Sequence, residues 1–364
     1  MREKSDISLS PFKVAFTGGG SAGHVIPLIP VIDDVLDRGA SVFYIGSRSG
    51  IERDIIKNNN IPYYAITTTK LHRALKGSNL FIPISLLSGI MGSIKILLKL
   101  KPNIVVSKGG FVSVPVAIAA FIMRIPIISH ESDLTFGLAN RIAYPMCRYM
   151  CTSLPLHLLN KSRAGKLIYT GMPIRSEFTA SKKCESLVDF SGHKAKLLVF
   201  GGSLGSKLIN NAIRLNLHRL SNFEIIHICG KDNVDPEIDF AGYRQIEYLD
   251  KGMADLMRAA DVIISRAGMT SILEMLFLRK PAVLVPLGMG ASRGDQLQNA
   301  ELFHNLGIFE ILDESMINSH LLKAIDAAMA RASSLGDKID SLNLEFGSER
   351  MVNLISEVLT CKEN

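Results

Sequence analysis

Two segments far apart in the chain open in the same way. "KVAFTGGGSAG" begins at Lys13 and "KLLVFGGSLGS" at Lys196, and each is an apolar run that ends in a glycine turn before a helical pattern. A strand that feeds a helix through such a turn commits the chain to parallel β-α-β units. The rest of the sequence keeps the rhythm. "SVFYIGS", "NIVVSKGG", "IPIISHE", "RYMCTS" and "KLIYTG" read as further buried strands, followed later by "FEIIHICG", "ADVIISRAG" and "PAVLVPLG". A chain of 364 residues exceeds one ordinary core. The expected fold is therefore α/β, with two doubly wound Rossmann-like domains facing across a cleft. Residues 1–170 and 195–364 form the domains, the polar stretch 171–194 is the linker, and the last helix is a candidate to pack back on the first domain. Ligands of such sheets bind beyond the carboxyl ends of the strands, where the glycine loops lie.

Lys and Arg total 41 against 34 acids, a net charge of +7. That excess suits an anionic partner, a phosphorylated substrate or a membrane surface. Nucleic acid is not expected, because no basic run is interleaved with aromatics and Trp is absent. The five cysteines lack the paired spacing of a zinc site and read as thiols in a reducing compartment. No metal is expected. The start, "MREKSDISLSPFK", has no apolar core of the kind a signal peptide needs.

Gly18, Gly20 and Gly23 match G-x-G-x-x-G, and His24 follows at once, where a helix N-terminus is expected to meet phosphate. "SKGGFVS" supplies a second loop through Lys108, Gly109 and Gly110, and "GGSLGS" a third with Ser203 and Ser206 as hydroxyl donors. Bare amides and the helix dipole favour anions at such turns, although glycine also serves there for steric reasons alone. A reading as an NADP-binding protein draws on Arg48 after the second strand. His24, Pro27 and the second glycine-rich domain weigh against it.

Further along, "SHESD" sets His130 and Glu131 just past a strand. "SRAGMTSILE" sets Arg266 before a helix start at Gly268, with Glu274 about two turns in, at a depth that suits a sugar diol or plain solvation. "SRGDQLQNA" offers Asp295, Gln296 and Asn299, which either read sugar hydroxyls or cap the next helix.

One apolar stretch raises a membrane question. "LFIPISLLSGIMGSI", Leu80–Ile94, is cut by Lys95 and falls short of the roughly 20 apolar residues of a spanning helix. Phe81, Ile84, Leu87, Ile90, Met91, Ile94 and Leu98 recur at helical spacing among Arg73, Lys76, Lys95, Lys99 and Lys101. The pattern fits a surface helix on anionic lipid and equally a helix packed on its own sheet.

Together, "TGGGSAGH", "SKGGFVS", "HES", "TGMPIR", "GGSLGS", "SRAGMTSILE" and "GDQLQNA", in this order and spacing, resemble one family over roughly Lys13 to Leu359. It is the family of undecaprenyldiphospho-muramoylpentapeptide β-N-acetylglucosaminyltransferases, the MurG enzymes of glycosyltransferase family 28. The resemblance implies a GT-B fold and inverting, metal- and cofactor-independent transfer of GlcNAc from UDP-GlcNAc to the MurNAc 4-hydroxyl of lipid I, giving lipid II. It implies an acceptor-binding, membrane-associating first domain and a donor-binding second one. A sibling activity on another lipid, such as diacylglycerol, shares the fold. The implied location is the cytoplasmic face of the cell membrane, with partners among cell-wall synthesis proteins.

By matching positions, the resemblance implies that Arg175 and Ser203 contact the nucleotide and its phosphates, and the Leu249 backbone the uracil. Glu274 would bind the ribose, Met269 and Thr270 would line the GlcNAc and diphosphate, and Gln296 with Asn299 would read the sugar; Arg266 belongs to the same substrate-binding set. Gly20, Ser21, Gly23, Lys108, Gly109 and Gly110 would hold the acceptor diphosphate. His24 would then be the base for the 4-hydroxyl, or else a phosphate ligand that orients the loop. Glu131 is a second candidate for acid–base or orienting work. The family's common "HEQN" reads "HESD" here, so Ser132 and Asp133 replace two amides.

Overall fold

In the computed structural model, the residues described are 7–68, 82–159, 165–179, 190, 192–202, 205–249, 251–288 and 294–361. The chain divides into two compact units. Unit 1 comprises Met1–Arg175 and Glu345–Asn364, and unit 2 comprises Ser176–Leu344.

Unit 1 is built on seven parallel strands: β1 (Lys13–Thr17), β2 (Ser41–Ser47), β3 (Tyr63–Ile66), β4 (Ile104–Ser107), β5 (Ile127–Glu131), β6 (Tyr149–Thr152) and β7 (Leu167–Tyr169). Their order is β3-β2-β1-β4-β5-β6-β7. The central strands are buried on both faces, which is why they read as continuous apolar runs. The order reverses between β1 and β4, and both strands end in glycine loops. The last helix, α13 (Glu349–Thr360), belongs to this unit. Its Met351, Val352 and Ile355 join Val14, Phe16 and Val31 in one core cluster. Ser348 bonds to Asp34, and Arg38 donates to Asn353 Oδ1 at 2.9 Å, so polar contacts fix its edge.

Unit 2 has six parallel strands: β8 (Ala195–Phe200), β9 (Phe223–Ile228), β10 (Tyr243–Ile246), β11 (Val262–Ser265), β12 (Ala282–Leu284) and β13 (Glu310–Ile311). Their order is β10-β9-β8-β11-β12-β13, which reverses between β8 and β11. Three strands escape the sequence reading: β3, β10 and β13. All three are sheet edges, short and only partly buried, so they lack the apolar run that marks a central strand.

Two helices differ from expectation. The segment after Gly23 does not run straight into a helix. His24 closes a 3-10 turn, Ala22–His24, a second turn covers Ile26–Leu28, and α1 spans Ile29–Asp37. Pro27 and Pro30 lack an amide hydrogen, which suits a first turn and interrupts regular helix before it. His24 therefore stands in a turn and not at the N-terminus of α1. The apolar segment forms α3 (Ile82–Leu100), following α2 (Ile51–Asn58). Pro83–Leu100 is long and apolar enough to cross a membrane by those two measures, so length alone does not decide against it as the sequence suggested. Instead α3 packs on α4 (Ser113–Ile122), where a Cβ on Gly89 would lie 3.1 Å from Pro115 Cβ.

The helical stripe on α3 divides. Ile90 and Ile94 pack against the core, while Ile84, Leu87, Met91 and Leu98 are exposed beside exposed Lys95 and Lys99. Phe121 and Ile122 at the end of α4 are exposed as well. Phe81, Arg73 and Lys76 lie outside the described residues.

Candidate active site

In unit 1 the two glycine loops meet. A Cβ on Gly110 would fall 2.0 Å from the carbonyl oxygen of Gly19, and one on Gly20 would fall 2.5 Å from the Phe111 ring. Gly20 (φ +88°), Gly109 (φ +83°) and Gly110 (φ +78°) also lie in the left-handed region that L side chains avoid. Backbone approach and conformation both require glycine here. Gly20, Ser21 and Gly23 are exposed on the loop, and Ser21 Oγ lies 2.8 Å from His24 Nδ1. The half-buried imidazole thus has one ring nitrogen engaged by the residue three before it.

Lys108 turns inward from the second loop and is 3% exposed. Its Nζ donates to His130 Nδ1 at 2.7 Å and also to Ser132 Oγ. The other ring nitrogen, His130 Nε2, donates to the Gly171 carbonyl at 3.1 Å, so both bonds select the same neutral tautomer. Burial pushes His130 well below its usual value, and the Lys108 charge adds to this. Burial lowers Lys108 to about 8, while Glu131 and Asp133 act in the opposite sense. The serine that replaces the family's amide is therefore a direct partner of Lys108.

Glu131 ends β5 and is 6% exposed. Its Oε1 accepts from the amides of Ser132 at 2.9 Å and Asp133 at 3.2 Å. Its Oε2 accepts from the Gly137 amide and from Asn140 Nδ2, both at 2.9 Å. Four donors make this carboxylate the organiser of the turn that follows β5. Asn140 completes the arrangement by packing under Gly109, where a Cβ would meet Asn140 Oδ1 at 2.9 Å.

Three residues here lie outside the motifs. Glu52, in the first turn of α2, is wholly buried and accepts from Gly20 N at 3.2 Å and Ser47 N at 3.1 Å, and from Ser47 Oγ. Tyr44 donates to the Gly18 carbonyl at 3.1 Å, and Tyr63 to the Ser47 carbonyl. Burial first, and Glu52 second, raise both phenols. The available signal was "GSRSGIE", an acid just inside a helix that follows a strand and glycine.

In unit 2 the loops after β8, β11 and β12 converge on Arg266. Arg266 is 8% exposed, and its guanidinium donates to Glu314 Oε1 at 2.7 Å, Val285 O at 3.1 Å and Ser206 Oγ at 2.8 Å. Ser206 is also the N-cap of α7 (Lys207–Leu215). Glu314 Oε2 accepts from the Gly288 amide at 3.1 Å, so Arg266 and Glu314 together tie the segments that follow β8, β11, β12 and β13. Ser203 lies outside the described residues.

Helix α9 (Met269–Phe277) starts at Gly268, with Met269 buried and Thr270 half-buried in its first turn. Glu274 is 6% exposed, so it is not a solvated helix residue. Gln296, in α10 (Asp295–Asn305), accepts from the Leu287 amide at 3.1 Å through Oε1, which directs its NH2 group away from that bond. Asn299 is buried and donates to the Ala267 carbonyl at 3.3 Å. Leu249 is half-buried beyond β10, and Arg175, half-buried, closes the first segment of unit 1. Among the described residues no cluster of three or more His, Cys, Asp or Glu is placed to hold a metal ion.

The models of the glycosyltransferase family 28 N-terminal and C-terminal domains match residues 14–152 and 196–352. The chain belongs to glycosyltransferase family 28. A Clostridium botulinum (strain Alaska E43 / Type E3) relative is 45% identical over 353 residues, 96% of this chain and 97% of its own. A Legionella pneumophila (strain Paris) relative is 40% identical over 354 residues, 96% and 97% of the two chains. Both are named UDP-N-acetylglucosamine–N-acetylmuramyl-(pentapeptide) pyrophosphoryl-undecaprenol N-acetylglucosamine transferase. The crystal structure of Acinetobacter baumannii MurG superposes with a TM-score of 0.72 at 24% identity, covering 95% of this chain and all of that one. The fold is GT-B.

Proposed function

We propose that this protein transfers GlcNAc from UDP-GlcNAc to the MurNAc 4-hydroxyl of lipid I, forming lipid II. The observation that carries the reading is identity of 40–45% to two such transferases over nearly the whole chain. The placement of both motif sets at the switch points of the two sheets supports it.

Unit 1 binds the acceptor. The exposed turn Ser21–Gly23 and the half-buried Gly110 take its diphosphate, the Gly20 and Gly109 amides being held by Glu52 and Ser107, and His24 removes the proton of the 4-hydroxyl. That oxygen attacks C1 of GlcNAc, the bond from C1 to the β-phosphate oxygen breaks, and its electron pair leaves with UDP. The configuration at C1 inverts. Imidazole is the side chain that most often serves as a general base near neutral pH. Glu131 orients the loop, in keeping with its four donors, and Lys108 ties the second glycine loop to His130 and Ser132.

Unit 2 binds the donor. Glu274 accepts from the ribose, Gln296 reads GlcNAc, the Leu249 backbone reads uracil, and Asn299 braces the Ala267 carbonyl ahead of α9. Amides at the start of α9, with Ser203, Met269 and Thr270, stabilise the leaving diphosphate by fixed dipoles. Arg266 is the brace of these loops.

The enzyme works at the cytoplasmic face of the cell membrane as a peripheral protein, attached through α3. Ile84, Leu87 and Met91 enter the headgroup boundary, and Lys95 and Lys99 meet anionic lipid. Release of UDP from UDP-GlcNAc with a lipid I analogue tests the reading. Release with diacylglycerol in its place would move the activity to another lipid, and NADP binding without UDP release would make the protein a dinucleotide binder.

A further inference from the structure

We infer that Glu52, together with Tyr44, is a positioning residue that sets the loop carrying His24 and thereby acts on the acceptor-side chemistry without touching substrate. The inference rests on the proposed role of His24 as base. Gly18–Gly20 is a run of three glycines, with φ of +154° at Gly19 and +88° at Gly20. Such a segment has little conformational preference of its own and needs external fixing.

It is held at both ends. Tyr44, on β2, donates to the Gly18 carbonyl at 3.1 Å, and Glu52, on α2, accepts from the Gly20 amide at 3.2 Å. The next residue is Ser21, whose carbonyl accepts from His24 N at 3.1 Å and whose hydroxyl lies 2.8 Å from His24 Nδ1. Any shift of Gly20 is therefore passed through Ser21 to the imidazole.

Glu52 is an unusual choice for a merely structural clamp. It is fully buried, and its bonds among the described residues come from the Gly20 amide and from Ser47. Burying a carboxylate is expensive unless charge-assisted bonds satisfy it. The acceptor-only carboxylate is what the arrangement needs, since both oxygens face N–H or O–H donors. Ser47 N and Ser47 Oγ both donate to Oε1, so a glutamine oxygen satisfies more donors there, which turns its NH2 on the Gly20 amide; Glu52→Gln breaks that clamp while keeping the volume.

The test compares Glu52→Gln, Tyr44→Phe, His24→Ala and the double variant Glu52→Gln/His24→Ala, with UDP-GlcNAc saturating and lipid I analogue varied. UDP affinity and thermal midpoint are measured alongside. Displacement of a reacting group by an ångström costs up to about 100-fold, so kcat in Glu52→Gln should fall by about 10- to 100-fold with UDP affinity unchanged. In the His24→Ala background the same change should do nothing further, because residues acting as a unit are not additive. Tyr44→Phe, which removes one hydroxyl, should show the same pattern more weakly and serves if Glu52→Gln unfolds. Wild-type kcat in both clamp variants, or losses as large without His24 as with it, would overturn the inference. His24→Ala with wild-type turnover would instead remove the base assignment, and the inference with it.

Discussion

Lys108 Nζ lies 2.7 Å from His130 Nδ1, an ammonium resting on a neutral imidazole inside unit 1. The bond joins the loop after β4 to the end of β5, so the second glycine loop is anchored by a buried titratable pair. Burial drives both groups away from their charged forms, and this carries a pH dependence with a definite sign.

Lys108 is lowered from 10.5 to about 8 in the fold. Between those values the unfolded chain holds a proton that the folded chain has released, so stability rises with pH, by up to about 1.4 kcal/mol per unit. Below pH 8 both states are protonated and the full burden is present. Urea unfolding at pH 7, 8 and 9 should show this gain in the wild type and a flatter profile in Lys108→Met. Parallel profiles would refute it.

On the acid side the relevant group is His227, lowered from 6.5 to about 3 by burial and by Arg214. Its ring bonds to Tyr243 and Asn210 at 2.9 and 3.0 Å. Above pH 6.5 both states are neutral and nothing is lost. As pH falls from 6.5 towards 3, the unfolded chain alone takes up the proton, and stability drops by about 1.4 kcal/mol per unit. His130 adds in the same direction. His227→Gln should unfold with a shallower dependence between pH 6.5 and 4.5, and an unchanged slope would exclude His227 as its source.

His24→Ala should lower kcat by about 10²–10⁴-fold, the usual contribution of a positioned base, with UDP affinity nearly intact. Steady-state UDP release and calorimetric UDP titration separate the two. Lost donor binding with unchanged turnover of bound substrate would falsify the assignment.

Glu274→Ala should weaken UDP. A hydrogen bond from a ribose hydroxyl to a carboxylate contributes about 1.5–3 kcal/mol, or roughly 10- to 150-fold in affinity. Equal dissociation constants for wild type and variant would end the ribose role. Because Glu274 is buried, the thermal midpoint is read alongside to confirm folding.

Attachment to membranes should depend on both parts of the exposed stripe on α3. Each cation near anionic lipid contributes about 1 kcal/mol and is screened within about 8–10 Å at physiological salt. Wild type should therefore sediment with anionic vesicles at low salt and less at high salt. Leu87→Ser/Met91→Ser/Lys95→Glu/Lys99→Glu should stay in the supernatant at both. A folded variant that sediments as the wild type does would assign the lipid-facing surface elsewhere.

The sequence by itself determined the doubly wound character of both halves. Central parallel strands are buried on both faces, and Val14–Phe16 and Leu197–Phe200 carry that burden as unbroken apolar runs. The glycines of the loops were legible too, since a positive φ or a backbone packed on backbone leaves no room for a Cβ. Edge strands such as Tyr243–Ile246 were not, because half-burial leaves no run to see.

What only the tertiary structure decided is where the charged side chains turn. Lys108 follows a strand beside two glycines and reads as a phosphate ligand, yet its amine goes to His130 and Ser132, residues of another strand and loop. Arg266 precedes a helix start, and its guanidinium ties Ser206, Val285 and Glu314. Glu52 belongs to no motif and holds Gly20 from 32 positions away. A local pattern records the backbone each residue can adopt. The partner of a long polar side chain depends on which strands the topology makes neighbours, and that order exists only once the sheet is assembled.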